Sequence, residues 1–170
     1  MGVLFDYFRA PDGETALRLL DQGDGVPHGP TTVGGGVDAL DGKGIEPQVI
    51  LGRLVGLILD VPWSLDLVET VEVWPPEETR PKSVEDWERL PEDSPWHTGP
   101  SLDELSDRIR DAFADADDHA LPAIADQWTR IEEFGGHVDA TSALRFVESL
   151  VALARRARRA DDHLYCWMCL

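Results

Sequence analysis

Residues 139–170 constrain the fold most, because they read as one complete helix-then-strand unit. Asp139 can cap the helix, Ala143, Val147, Leu150, Ala154 and Ala157 recur at helical spacing, and Arg155, Arg156, Arg158 and Arg159 suit its negative end. His163 to Leu170 follows as a short apolar run rich in strand formers. Left unpaired, such a strand would be a sticky edge, so it is expected to pair inside a sheet. Val3 to Phe8 predicts a first strand, broken at Ala10-Pro11-Asp12. Asp12 then caps a helix carrying Ala16, Leu17, Leu19 and Leu20 and closed by Gly23.

Between these ends lie two unusual segments and an apolar helix. Residues 24–44 hold seven glycines and two prolines with little periodicity and are expected to form a long loop. Glu46-Pro47 starts a helix whose Val49, Ile50, Leu51, Leu54, Val55, Leu57, Ile58 and Leu59 leave almost no polar face, which predicts a central, buried helix. Gly52 and Gly56 in it would let another element approach closely. Residues 62–100 hold seven of the twelve prolines and four of the six tryptophans, Trp63, Trp74, Trp87 and Trp96. Within them, Leu67 to Trp74 predicts an edge strand stopped by Pro75-Pro76, and Ser83 with Asp86 predicts a single helical turn around Trp87.

Ser101 and Glu104 form a capping box before Leu102, Leu105, Ile109, Phe113 and Ala116, which predicts a third helix over that whole span. A fourth is expected from Leu121 to Phe134, with Ile124, Trp128 and Ile131 inward. Together the patterns predict one α+β domain over residues 1–170. Its small sheet should contain both terminal strands, with the helix of residues 46–59 inside and about five helices in all as cover.

The order of these elements resembles the YfbM-like family, small bacterial proteins of unknown function. The likeness lies in Met1-Gly2-Val3-Leu4 opening a strand that ends in Tyr7-Phe8, in the helix after Asp12, and in Leu40-Asp41 to Lys43 leading into an apolar helix. It continues in Trp96-His97-Thr98 ahead of Ser101 and in the long helix feeding Leu164 to Leu170. What the resemblance implies is an α+β domain with helices around a small sheet. It brings no established activity to carry over.

Charge narrows the choice of partner. Fifteen basic against 33 acidic residues give a formal charge of −18, too acidic to hold a phosphate backbone, so no nucleic acid partner is expected. From Asp60 to Glu133 there are 21 acidic and 6 basic residues. That window is either a solubilising surface or a docking face for a basic protein partner. No apolar run approaches the roughly 20 residues that cross a bilayer, and the expected compartment is the cytoplasm. Asp6 stands where a myristoylation motif after Met1-Gly2 wants Ser or Thr.

Chemistry-bearing motifs are weak. His163 to Cys169 contains H-x-x-C and C-x-x-C, yet residues three apart on a strand point to opposite faces, so Cys166 and Cys169 read as strand filler and no metal is expected. Gly34-Gly35-Gly36 and Gly42-Lys43-Gly44 precede a helix but match neither the P-loop nor the dinucleotide fingerprint, and no cofactor is implied. His28, His119 and His137 fall at unrelated spacings, and the paired carboxylates Asp117-Asp118 and Glu132-Glu133 read as solvated faces. The residues that stand out for binding are Trp87, Trp96 and His97 in the insert, with Asp103, Asp107 and Asp111 read as one face of the third helix. The favoured reading is a non-catalytic interaction module with an acidic contact face. The alternative is a small-molecule binder or enzyme whose pocket is lined by the Gly-rich loop and the Trp/Pro-rich insert, and a nucleic-acid mimic is a third possibility.

Overall fold

A computed structural model describes residues 3–30 and 36–170. The sheet has five antiparallel strands: β1 (Leu4–Ala10), β2 (Ala39–Asp41), β3 (Thr70–Trp74), β4 (Ser101–Leu105) and β5 (His163–Cys169), in the order β2-β1-β5-β4-β3. Both terminal strands therefore lie side by side in the middle, paired over seven residues from Leu4↔Cys169 to Ala10↔His163.

Pairing positions divide the sheet into two buried faces. Tyr7, Leu105, Leu164 and Cys166 look toward one layer, built from α2 (Gly52–Leu59), α5 (Asp107–Ala114), α6 (Leu121–Trp128) and α7 (Ala140–Ala160). Phe8, Leu102, Tyr165 and Trp167 look the other way, under α1 (Gly13–Leu20) and the glycine-rich loop. The cover thus includes five helices of eight residues or more, with single turns α3 (Val84–Glu88) and α4 (Pro95–Thr98) in the insert. The expected class, one α+β domain with a small sheet holding both terminal strands, is what the chain forms.

Several boundaries follow from the caps. Asp12, Ser83 and Asp139 each accept a backbone N–H three residues on, closing the first turns of α1, α3 and α7. Ala143, Val147, Leu150, Ala154 and Ala157 are all buried along α7. Glu46 caps the next helix, which opens with a π turn over Pro47–Leu51 before continuing as α2. Two indoles pin that turn: Trp63 Nε1 donates to Gln48 O at 3.0 Å and Trp128 Nε1 to Ile50 O at 2.9 Å.

The expected third helix is corrected. Ser101–Leu105 is strand β4, and the helix begins only at Asp107. The reason is that β4 is buried on both faces: Leu102 (0% exposed) packs with Trp167, while Leu105 (1%) packs with Leu164 on the other side. An apolar pair three apart satisfies a two-sided strand as well as a helix stripe. The fourth helix also stops early, at Trp128, and Glu132–Phe134 is a separate 3₁₀ turn.

Candidate functional site

The insert between β3 and β4 gathers three of the residues singled out above. Ser83 Oγ caps α3 by accepting from the Asp86 N–H, which holds Trp87 on a one-turn helix with no buried residue. Trp87 meets Trp96 edge-on with ring centroids 6.4 Å apart, and the His97 ring lies 6.2 Å from it. Trp96 is held from behind: its Nε1 donates to Thr79 Oγ1 at 3.1 Å, and the Arg80 guanidinium stands 5.1 Å from its ring centre. Arg80 is itself fixed by Glu77 and Glu72. Trp96 is thus half-buried and anchored, whereas Trp87 is 41% exposed beside Val84 at 71%. Glu85, Asp86, Glu88, Glu92 and Asp93 surround them, all exposed.

The three aspartates do not form the expected row. Asp103 lies in β4 and points to the helix-covered face, opposite Cys166 and Glu72. Burial, reinforced by Glu72, pushes its carboxyl up to about 6. Asp107 and Asp111 belong to α5, where both grip Arg110, at 3.1 and 2.9 Å, and Asp107 also meets His163 Nδ1 at 2.8 Å. Farther along, Asp115 pairs with Arg158 at 2.5 Å and Asp118 with Arg155 at 2.9 Å. The arginines of α7 therefore neutralise acid just after α5 as well as completing their own helix end. A patch whose charges are already paired is a weak lure for a basic protein.

The remaining motifs lie apart from this cluster. Cys166 faces the helix layer and Cys169 the opposite core, so the two thiols cannot share an ion. Among the described residues no group of three or more His, Cys, Asp or Glu side chains is placed to hold a metal. Gly34 and Gly35 lie outside the described residues. Gly42-Lys43-Gly44 forms the turn after β2, where Lys43 N–H bonds Asp41 Oδ1 at 2.9 Å. His28 pairs with Asp24 at 3.0 Å, while His119 and His137 are exposed. No described helix is long and apolar enough to cross a membrane.

The glycine-rich loop and the insert segment do meet, at a recess of about 180 Å³ bounded by Leu17, Gly25, Pro27 and Trp74. Its charged wall is occupied, however. Asp21 accepts from the Gly23 and Gly25 amides at 2.7 and 3.1 Å, and Glu14 faces Arg18 at 3.5 Å.

The fold and these surfaces define an α+β domain with an aromatic cluster on an acidic insert. No family model matches the chain, and neither a curated protein nor a solved structure is detectably similar to it. The resemblance to YfbM-like proteins rests on the residues quoted for it.

Proposed function

We propose that this chain is a non-catalytic, cytoplasmic interaction module of YfbM-like type, and that the insert of residues 75–100 is its contact surface. One observation carries this reading: Trp87 stands half out of the protein on an otherwise unburied turn, backed by a Trp96 whose own position is fixed. A rigid aromatic anchor ringed by charge is the arrangement of interface hot spots. The exposed carboxylates around it select a basic partner and steer its approach.

Affinity capture with wild type and Trp87→Ala, at low and high salt, tests the proposal. A basic protein retained by wild type should be lost both in the variant and in high salt, because surface charges are screened over about 10 Å at 0.1 M. Glu85→Lys with Glu88→Lys should weaken retention in the same way. A partner held equally by all three proteins would place the contact elsewhere.

A small-molecule role at the loop–insert recess is the second reading, favoured by the Trp74 Nε1, which is buried without a hydrogen-bond partner. The occupied charges of that recess weigh against it.

A further inference from the structure

At the β2 edge of the sheet, the edge opposite β3 and its insert, lies a cavity that none of the surfaces above uses. It measures about 190 Å³ and sits between the turn after β2 and the first turns of α7. That is below the roughly 300 Å³ at which sites for drug-sized ligands begin, so only a small ligand fits.

Its walls are apolar and half aromatic, Trp128, Phe134 and Phe146 standing with Ile45, Val138 and Ala143. Trp128, 1% exposed and fixed by its bond to Ile50 O, stacks on Phe146 at 5.7 Å and meets Phe134 edge-on at 4.9 Å. Its rim is polar and carries both signs of charge, from Asp41, Lys43 and Ser142, all exposed.

The rim is held in place at some cost. Lys43 adopts a left-handed conformation with φ of 40°, uncommon for a side chain of its kind. A Cβ at Gly42 would come within 2.7 Å of Phe5 O and 2.9 Å of the Tyr7 ring, so that position admits only glycine. Gly44, at φ 83°, completes the turn. Lys43 is one of two lysines in the chain, and among the described residues its ammonium enters no ion pair. Strained residues cluster at ligand clamps, and here one places an exposed, unpaired lysine among the residues lining an apolar cavity.

We infer that this cavity binds a small zwitterion with an apolar side chain, an apolar α-amino acid. The side chain enters among Trp128, Phe134 and Phe146, the carboxylate meets Lys43, and the ammonium meets Asp41. Each charge at the rim then gains a counterion. The site is independent of the contact surface on the insert, so either reading can fail without the other.

Titration of the Trp128 indole N–H resonance tests the assignment, with L-phenylalanine, 3-phenylpropionate, phenethylamine and glycine as probes. L-Phenylalanine should shift the signal saturably in the low millimolar range or tighter, as expected for a ligand of about a dozen heavy atoms. The two analogues lacking one charge should bind roughly tenfold more weakly, and glycine should leave the signal in place. Lys43→Asn, which tolerates the left-handed turn, should weaken phenylalanine by roughly tenfold while the melting temperature holds. An unmoved indole signal, equal affinity for 3-phenylpropionate, or an unaltered affinity in Lys43→Asn would each overturn the assignment.

Discussion

At the scale of single residues, two positions show packing and burial overruling local preference. Gly52 lies inside a helix, where alanine would ordinarily gain about 1 kcal/mol. Here an added Cβ would lie 2.8 Å from Trp63 Nε1, the atom that bonds Gln48 O, while Arg53 covers the same indole with its guanidinium 4.1 Å from the ring centre. Gly52→Ala is therefore expected to lose about 1–2 kcal/mol, read from urea unfolding, instead of gaining it. Asp103 makes the second case. Its carboxyl is raised to about 6, so between pH 4 and 6 the folded protein binds a proton that the unfolded chain has released. Stability from this group falls as pH rises through that window and stays low above it. Asp103→Asn should gain about 1–2 kcal/mol at pH 7.5 and little at pH 4.5. An equal gain at both pH values would remove burial of the charge as the cause.

Among the elements, the ones that could be read from residue order are those in which a cap, a period and a terminator agree. The helix after Asp139 and its strand, the helix after Asp12 and the turn after Ser83 are of this kind. Residues 101–105 misled because Leu102 and Leu105 serve two opposite cores, and nothing local reveals that a strand is covered on both sides. The docking row of Asp103, Asp107 and Asp111 fell with that helix. Trp87, Trp96 and His97 stood out by residue type, but their mutual contact depends on how the insert folds back. The aromatic cavity lay beyond local reading altogether, since Lys43 and Phe146 meet only through the tertiary fold. Gly42-Lys43-Gly44 was the available signal, and without a phosphate motif it reads as plain loop. Strand β5 carries the element-scale prediction. It is the middle strand, flanked by β1 and β4, so deleting residues 164–170 splits the sheet and bares an edge on each side. The truncated chain should be insoluble or molten, without a near-ultraviolet circular dichroism signal. A sharp, near-native melting transition would contradict the topology.

For the molecule as a whole, the acid is unevenly committed. On and just after α5 it is matched by arginines of α5 and α7, and Asp38 likewise binds Arg156 and Arg9 at 2.7 Å, which holds its carboxyl down to about 2. On the insert, Arg80 is fixed by Glu77 and by Glu72 of β3, but the carboxylates around Trp87 face water. The account's central claim is that this open acid and its aromatic anchor meet a partner. Photo-cross-linking in living cells tests it most directly, with a benzophenone side chain placed at Val84, 71% exposed beside Trp87, and at Leu65, 65% exposed outside residues 75–100. A discrete adduct with a basic protein should form from position 84, disappear in Trp87→Ala, and be absent from position 65. No adduct from position 84, or the same adduct from both positions, would contradict the claim.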